Sequence, residues 1–195
     1  MAHELRERAH EVVRQEMAEA ALEMMIERGY EALTVDELAR GVGVSRATFF
    51  RYLGSKDEAI ISALIGPVDQ FSRTLRASPI ALSGSLWSRL RIAFEPALLL
   101  AEADPQRQRQ RMTLIQSLPA VGARLRRERA PQIDALAEAL TDSGVDRFGA
   151  AVVAAAGVAA LDRCWVVWMH DEDESLRAVL DRAVAELERA SLRHP

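Results

Sequence analysis

Apolar residues recur every three or four positions along most of the chain, which is the spacing of one face of an α-helix. Val13, Met17, Ala21 and Met24 share such a face in a helix predicted from about 10 to 28. The chain has no sustained alternation of apolar and polar residues and no Asn-Gly or Asp-Gly pair, so hairpins are not indicated. The pattern therefore predicts an all-α fold.

Three helix starts follow in close succession, and each is marked by a capping residue. Thr34 and Ser55 each stand three residues before a glutamate, Glu37 and Glu58, which is the capping-box pattern of a helix N-terminus. Ser45 is placed to cap the helix between them. The sequence therefore predicts a small N-terminal unit of short, capped helices.

The segment from about 34 to 54 is predicted to form a helix-turn-helix, in which the second helix enters the major groove of DNA. Gly43 can take the positive φ of the tight turn, and Ala39 is small where the two helices would cross. Short capped helices also occur in any helical protein, so these residues alone leave generic helical packing open beside DNA binding. The predicted buried side consists of Leu38, Val42, Val44, Phe49 and Leu53.

The exposed side of this segment carries groups that suit DNA. Arg46 and Thr48 belong to the first turn of the second helix, where arginine can bond guanine twice and threonine can bond a base or contact a thymine methyl. Hydroxyls, an ammonium and backbone donors at helix ends can hold phosphates. The residues at such ends or rims are Thr34, Ser45, Tyr52 and Lys56.

Residues 10–64 resemble the N-terminal domain of the tetracycline-repressor (TetR) family. This resemblance implies an all-helical homodimer, operator DNA bound by the N-terminal domains and an effector pocket in a C-terminal helical bundle. It places a DNA-binding domain at 1–55 and a ligand-binding and dimerisation domain at 56–195. The matching segments are Ala20-Ala21-Leu22-Glu23, Gly29-Tyr30, Leu33-Thr34-Val35, Leu38-Ala39, Gly43-Val44-Ser45, Thr48-Phe49-Phe50-Arg51-Tyr52-Leu53 and Ser55-Lys56-Asp57-Glu58.

The resemblance also implies roles for single residues. It places Thr34 and Lys56 on phosphate-contacting positions and Tyr52 on a backbone-contacting position. Phe50 stands where the family usually has tyrosine, so a hydroxyl contact to phosphate is lost, although the ring can still pack on a sugar or methyl group. The base-contacting positions are Arg46, Ala47 and Thr48. The full predicted DNA-binding set is Thr34, Val35, Ser45, Arg46, Ala47, Thr48, Phe50, Tyr52 and Lys56.

The overall charge argues against this hypothesis, because a basic footprint is the usual sign of nucleic-acid binding. The chain has 25 Lys and Arg against 29 Asp and Glu, a net charge of −4. Between Thr34 and Lys56, however, four basic residues accompany two acidic ones, so the predicted contact surface is locally basic. The alternative is a helical small-molecule-binding protein whose helix-turn-helix does not bind DNA, and the acidic balance and Phe50 favour it.

Helical periodicity continues to the end of the chain. Gly66-Pro67 should break one helix, since proline lacks an amide donor and clashes with the preceding turn. Pro96 and Pro131 should kink their helices, while Pro105 and Pro119 suit first helical turns. The predicted helices are about 56–77, 84–103, 105–117, 119–141, 146–169 and 175–192, which gives about nine helices in all.

An effector pocket would be lined by apolar residues of the central helices. The C-terminal half resembles, more weakly, family members that bind acyl-coenzyme-A-type ligands, through Phe94-Glu95-Pro96-Ala97 and the arginine-rich segment after Pro105. This implies an acyl-CoA-like or other apolar effector, no cofactor, and arginines between 107 and 129 that could meet ligand phosphates. The predicted ligand-binding residues, each equally compatible with simple core packing, are Trp87, Phe94, Leu98, Met112, Ile115, Trp165 and Trp168.

The last two helices are implied by the resemblance to pair with their copies in a homodimer. Small residues in the helix predicted at 146–169 would permit close approach, although an intramolecular core explains them as well. These residues are Ala150, Ala151, Ala154, Ala155 and Gly157.

Other chemistry has little support in the sequence. The single cysteine, Cys164, allows no disulfide or cysteine-based zinc site within one chain and has no evident histidine partner. His170 precedes four acidic residues, which are typical of a polar interhelical loop. There is no phosphate-binding glycine loop or nucleophile elbow. We find no signal peptide, and the apolar run 148–161 is short for a bilayer, so a cytoplasmic protein that is neither an enzyme nor membrane-bound is predicted.

Overall fold

A computed structural model describes residues 2–78 and 84–192, and this part of the chain contains helices and no strands. The all-α prediction is therefore confirmed for the described residues. The helices are α1 (Ala2–Arg28), α2 (Val35–Gly41), α3 (Arg46–Leu53), α4 (Lys56–Ile65), α5 (Gln70–Ala77), α6 (Leu86–Ala93), α7 (Glu95–Ala103), α8 (Pro105–Ser117), α9 (Pro119–Glu128), α10 (Ala130–Asp142), α11 (Arg147–Trp168) and α12 (Leu176–Leu192).

The predicted helix caps of the N-terminal unit are present. Thr34 accepts a hydrogen bond from the Glu37 amide and Glu37 bonds back to the Thr34 amide, which completes a capping box. Ser45 caps α3, and Ser55 accepts from the Glu58 amide at the start of α4. The capping box predicted at Ser55 is wrong in its second hydrogen bond, from the Ser55 amide to the Glu58 carboxylate. That carboxylate instead accepts from Arg124 of α9.

Several predicted helices are divided in the structure. The segments predicted at 56–77, 84–103 and 119–141 each form two helices, with breaks at Gly66-Pro67, at Phe94 and at Arg129. Each break lies beside a proline that was expected to break or kink its helix. The described residues therefore contain twelve helices where about nine were predicted. Helix α1 also begins at Ala2 rather than near 10, because its early residues favour helix without an apolar stripe.

The chain forms two compact units, and each is contributed by two segments. Unit 1 comprises Met1–Gly66 and Leu114–Glu128, and unit 2 comprises Pro67–Thr113 and Arg129–Pro195. Unit 1 therefore includes α4 and α9 as well as the helix-turn-helix. The predicted division into a DNA-binding domain (1–55) and a ligand-binding domain (56–195) is a division by function. It stays a prediction beside these two structural units.

The core of unit 1 fixes the helix-turn-helix against α1 and α4. Leu38 of α2 and Phe49 of α3 are fully buried together with Met25 of α1 and Ile60 of α4. Val42 and Val44 pack partly buried against this core. The apolar side predicted for the helix-turn-helix is thus the side that packs. Full burial of such side chains stabilises a fold by about 1.5–3 kcal/mol each.

The core of unit 2 is built around α11. Leu161 and Trp168 of this helix are buried, and Gly157 lies so close to α6 that an added Cβ would meet Leu90 at 2.4 Å. Helix α11 is long and apolar enough to cross a membrane by length and composition, but these residues form the core of the unit, as in the core helix of a globular domain. Helix α12 packs on this core through Leu176, Val179 and Leu180, which are buried.

Candidate nucleic-acid interface

A tight turn joins α2 to α3. Gly43 has a φ of +76°, in the left-handed region that other residues disfavour, and an added Cβ there would meet nothing within 4 Å. The Val44 amide donates to the Ala39 carbonyl at 2.9 Å, and Ala39 is buried. The turn therefore holds α2 and α3 in one rigid arrangement, and the outer side of α3 stays exposed.

Two hydroxyls occupy the N-terminus of α3. The Ser45 Oγ accepts from the Thr48 amide at 3.1 Å and lies 3.0 Å from the Thr48 hydroxyl. Ser45 and Ala47 are exposed and Thr48 is half-buried. The helix start thus presents two hydroxyls beside the backbone amides of a first helical turn, a combination that suits an anion such as phosphate.

Arg46 lies on the same exposed side and is held by two contacts. Its guanidinium Nη1 donates to the Asp36 carboxylate of α2 at 3.1 Å. Its Cζ lies 5.5 Å from the centre of the Phe50 ring, within the range of a cation–π contact. Phe50 remains 43% exposed. Phe50, the residue that departs from the family pattern, therefore faces the side chain best suited to bond guanine.

Lys56 begins α4 and joins it to the segment before α2. Its Nζ donates to the carbonyls of Tyr30 at 2.8 Å and Leu33 at 3.0 Å, and lies 4.0 Å from the centre of the Tyr30 ring. The Tyr30 hydroxyl donates to Asp57 at 2.5 Å. Burial, followed by this hydrogen bond, raises the pKa of Tyr30 to about 12. An ammonium has three N–H donors, and the two carbonyls accept from two of them.

Tyr52 lies near the C-terminal end of α3, where two side chains contact its ring. Its ring stacks on His10 of α1 with centroids 4.3 Å apart and planes 15° apart. The Arg51 guanidinium lies 5.2 Å from the centre of the same ring. These contacts hold the tyrosine against α1, half-buried, beside the outer side of α3.

Thr34 uses its polar groups locally. Its amide and its hydroxyl both donate to the Glu37 carboxylate, at 2.9 and 2.8 Å. These bonds, the amide first, hold the pKa of Glu37 below its ordinary value. A phosphate at Thr34 would compete with Glu37 for both donors. Val35, the next residue, is half-buried against the core of unit 1.

The basic residues of α1 belong to a helix and do not form an extended arm. Arg14 donates to Ser62 of α4 at 2.7 Å and pairs with Glu11 at 2.7 Å. Arg6 is exposed, and the side chain of Arg8 lies outside the described residues. Arg14 therefore serves to join α1 to α4.

The predicted effector residues do not all lie in one place. Phe94, Leu98, Trp165 and Trp168 are buried in the core of unit 2, and Trp87 and Met112 pack against that core. Ile115 lies in unit 1 and packs against the other core. Trp168 also lines a cavity of about 250 Å³ together with Arg109 and residues of the loop before α12.

The arginine-rich segment is likewise divided between the units. In unit 2, Arg109 lies over the Trp168 ring, with its Cζ 4.1 Å from the ring centre, and Arg129 pairs with Asp162 at 2.8 Å. Arg111 is buried. In unit 1, Arg124 pairs with Glu58 at 3.1 Å. Arg109, Arg124 and Arg129 therefore make structural contacts within their own units, whereas Arg107, Arg126 and Arg127 are exposed.

Among the described residues, no three His, Cys, Asp or Glu side chains come close enough to hold a metal ion. Cys164 is buried, and burial raises the pKa of its thiol to about 11. A thiol with so high a pKa is a poor nucleophile.

Two residues that contact the candidate interface, Asp36 and His10, were not predicted from the sequence, nor was the pair of Arg124 with Glu58. Asp36 was visible only as an acidic residue in a first helical turn, and ten residues separate it from Arg46. His10 and Arg124 lie too far from α3 along the chain for any local pattern to connect them.

Family models match most of the chain. Residues 18–62 match the model of bacterial regulatory proteins of the tetR family. Residues 84–191, more than half of the chain, match the model of the MftR C-terminal domain. The first match contains the whole helix-turn-helix.

Two curated relatives are regulators. TcmR of Streptomyces glaucescens, an HTH-type transcriptional regulator, is 33% identical over 75 residues, which cover 38% of this chain and 33% of TcmR. The Mycobacterium tuberculosis transcriptional regulator MftR, named for mycofactocin biosynthesis, is 33% identical over 113 residues, covering 55% of this chain and 53% of MftR. The matches thus span about half or less of these relatives.

Solved structures share the fold. FadR of Thermus thermophilus with lauroyl-CoA has a TM-score of 0.60 at 18% identity, covering 88% of this chain and 91% of that chain. FadR of Bacillus subtilis with stearoyl-CoA has a TM-score of 0.58 at 18% identity, covering 87% and 94%. AibR with isovaleryl coenzyme A and operator DNA has a TM-score of 0.51 at 15% identity, covering 89% and 97%. At such identities the likeness establishes the fold alone.

Proposed function

Because the chain belongs to the TetR family of bacterial regulatory proteins, we propose that it is a cytoplasmic, ligand-responsive repressor that binds operator DNA as a homodimer. It has no enzymatic activity of its own in this proposal. The domain from 1 to 55 contacts DNA, and the domain from 56 to 195 binds the effector and dimerises. The observation that carries the proposal is the exposed outer side of α3, with Arg46, Ala47 and Thr48 at its start.

The contacts to DNA divide into two kinds. Arg46, Ala47 and Thr48 contact base edges in the major groove, since a side chain there can recognise a base pair by its donors, acceptors and methyl group. The caps and rims of the short helices hold phosphates and set the position of α3 on the duplex. The residues assigned to phosphates are Thr34, Ser45, Tyr52 and Lys56. Val35 belongs to the same rim at the start of α2, and the Phe50 ring packs on a sugar or methyl group.

An exposed apolar stripe on α11 supports the homodimer. Phe148 is 80% exposed and Val152 49% exposed, and Ala155, Ala156 and Ala159 continue the same side of the helix. Contiguous exposed apolar side chains mark interaction surfaces in globular proteins. Of the small residues predicted for this role, Ala151 and Ala155 are exposed, whereas Ala150, Ala154 and Gly157 belong to the core of unit 2.

The dimer can be tested by a matched pair of valine variants. Val152→Glu places a charge on the stripe, and Val68→Glu places one at a valine that is 53% exposed in the loop before α5. Sedimentation velocity should show a monomer for Val152→Glu and a dimer for the wild type and Val68→Glu. Equal sedimentation of both variants with the wild type would contradict the assigned interface.

The effector in this proposal is a small, largely apolar molecule of the acyl-CoA class. Support comes from the weak resemblance at Phe94-Glu95-Pro96-Ala97 and from the acyl-CoA ligands of the two FadR structures and AibR. The residues assigned to it are those of the unit 2 core, Trp87, Phe94, Leu98, Met112, Trp165 and Trp168, with Ile115 set apart in unit 1.

The response follows from a preference between two states of the dimer. The two copies of α3 must lie about 34–36 Å apart to enter successive major grooves on one side of the duplex. A ligand that binds better to a state with another spacing lowers operator affinity in proportion to that preference.

A gel-shift assay with the DNA that flanks the chain's own gene tests the function. The wild type should retard one such fragment and should release it when lauroyl-CoA or isovaleryl-CoA is added at micromolar concentration. If the protein still bound DNA in the presence of every acyl-CoA tested, the DNA-binding function would stand and acyl-CoA effectors would be excluded. No retardation of any flanking fragment, together with tight ligand binding, would favour a small-molecule-binding protein without DNA binding.

A further inference from the structure

The outer side of α3 carries an acidic contact that DNA binding does not by itself explain. Asp36 is 53% exposed and lies at the start of α2, and its carboxylate accepts from the Nη1 of Arg46, which is 65% exposed. A carboxylate at a DNA surface repels phosphates and weakens binding to any sequence. Its place beside a base-contacting arginine therefore calls for a role in recognition.

We propose that Asp36 is a positioning residue that holds the Arg46 guanidinium ready to bond a guanine in each operator half-site, with the Phe50 ring as the platform beneath it. This inference rests on the proposed function and deepens it. It assigns guanine as the base that Arg46 contacts, and it gives Asp36 and Phe50 a part in choosing that base.

The geometry leaves Arg46 enough donors for this task. A guanidinium has five N–H groups in a planar fork, and the Asp36 carboxylate, 3.1 Å from Nη1, takes one of them. Guanine needs two donors, for O6 and N7. Asp36 can therefore stay bonded while Arg46 bonds the base. The carboxylate then lies at one edge of the guanidinium, and the guanine lies at another.

Phe50 restricts the rotation of the Arg46 guanidinium. Arg46 and Phe50 are four residues apart on α3 and so lie on one side of the helix. With the guanidinium carbon 5.5 Å from the ring centre, the ring limits how far the fork can rotate toward the solvent. An arginine that is already ordered loses less conformational freedom on binding than a mobile one. The phenyl ring thus serves this contact without the hydroxyl that the family's usual tyrosine would carry.

The opposite role for Asp36 would be to mask Arg46 and keep it from DNA. The two roles differ in their prediction for Asp36→Asn. Loss of a mask raises the preference for guanine, whereas loss of a positioning residue lowers it. Affinity alone does not separate them, because removing any negative charge raises affinity for all DNA. The preference for one base over the others is the decisive quantity.

The experiment selects duplexes from a random-sequence DNA library with the full-length protein and counts the bound sequences. The wild type should enrich a motif with a guanine at one position of each half-site. Arg46→Ala should lower the preference for guanine at that position about tenfold and leave the other positions unchanged. Asp36→Asn should lower the same preference about two- to tenfold, the effect of ordering one long side chain.

Two matched controls accompany these variants. Glu31→Gln removes the same charge from an exposed residue elsewhere in unit 1 and should raise affinity without changing any base preference. Phe50→Tyr keeps the ring and should keep the guanine preference, whereas Phe50→Leu should lower it at the same position as Arg46→Ala.

The outcomes distinguish this inference from the function on which it rests. A wild-type protein that enriches no motif overturns both. A motif that loses no guanine preference in Arg46→Ala overturns the inference and leaves sequence-specific DNA binding intact. An unchanged or increased guanine preference in Asp36→Asn overturns the role of Asp36 and supports masking.

Discussion

The helix caps at the candidate interface of unit 1 and a set of ion pairs in unit 2 differ in the distance along the chain between the residues that they join. At the candidate interface of unit 1, Thr34 and Ser45 cap α2 and α3 through amides three residues further along the chain. In unit 2, Arg177 bonds Glu102 and Glu95, at 75 and 82 residues of separation. Contacts of short reach leave a pattern in the sequence, whereas contacts of long reach do not. The local structure of the candidate interface could therefore be predicted from the sequence, whereas these ion pairs of unit 2 could not.

The largest effect that tests this comparison concerns two adjacent phenylalanines. Phe49→Ala should lower the free energy of unfolding by about 3–5 kcal/mol, because Phe49 is fully buried. Phe50→Ala should change it by less than about 0.5 kcal/mol, because Phe50 is exposed. Urea unfolding followed by circular dichroism measures both. If Phe50→Ala unfolded the protein as much as Phe49→Ala, the exposed side of α3 would be wrongly assigned.

A smaller effect is expected at the helix caps. Thr34→Ala should lower the free energy of unfolding by about 1 kcal/mol, since α2 loses its capping hydroxyl, and Thr34→Ser should restore most of it. Asp146→Ala, which uncaps α11 in unit 2, provides the matched comparison of similar size. Amide hydrogen exchange should show faster exchange confined to α2 in Thr34→Ala. Faster exchange throughout unit 1 would mean that the cap supports more than its own helix.

The long-range ion pairs of unit 2 predict a dependence on pH. Hydrogen bonds from Arg177 hold the pKa of Glu95 and of Glu102 below the ordinary value of 4.5. A lowered pKa in the folded state stabilises the protein above the ordinary pKa, and this contribution is lost as the pH falls through the lowered value. Arg177→Met should therefore lower the free energy of unfolding only modestly at pH 7, because the side chains are partly exposed and water screens their charges.

Thermal unfolding of wild type and Arg177→Met across acidic pH measures this difference. The two melting temperatures should converge as the pH falls below 4, and Arg182→Met should show a smaller difference because its pair with Glu174 involves one carboxylate. A difference that stays constant from pH 7 to pH 3 would mean that Arg177 acts by packing rather than by charge.

The smallest expected effect concerns how well the core of unit 2 excludes reagents from Cys164. Burial raises the pKa of the Cys164 thiol to about 11, so little thiolate is present near pH 8. A thiol reagent such as 5,5′-dithiobis(2-nitrobenzoic acid) should react with the folded protein much more slowly than with the urea-unfolded protein, in which the one cysteine is accessible. Equal rates would show that the core around Val179 opens readily.

The sequence predicted most of the candidate interface because its determinants are local. The caps at Thr34 and Ser45 and the positive φ of Gly43 follow from residue types and short spacings, and all three are present. The side of α3 that packs, with Phe49 and Leu53 buried, follows from helical periodicity. The assignment of single residues to bases and phosphates is a prediction that the structure leaves to experiment.

The parts that could not be predicted depend on contacts between distant segments. The inclusion of α9 in unit 1, through Arg124 and Glu58, joins positions 66 residues apart. The place of Ile115 with the core of unit 1, apart from the other effector candidates, has the same origin. Helix breaks were foreseen at the prolines, but whether each proline bends or divides a helix depends on packing around it.

Equilibrium binding of a matched pair of arginine variants tests the central claim, that the outer side of α3 contacts bases in DNA. Arg46 and Arg40 are both exposed and lie in α3 and α2. Fluorescence anisotropy with a duplex selected by the wild type, and with a scrambled duplex of equal composition, gives the preference for the selected sequence. Arg46→Ala should lower this preference about tenfold or more, whereas Arg40→Ala should weaken both duplexes alike. An unchanged preference in Arg46→Ala would contradict the account.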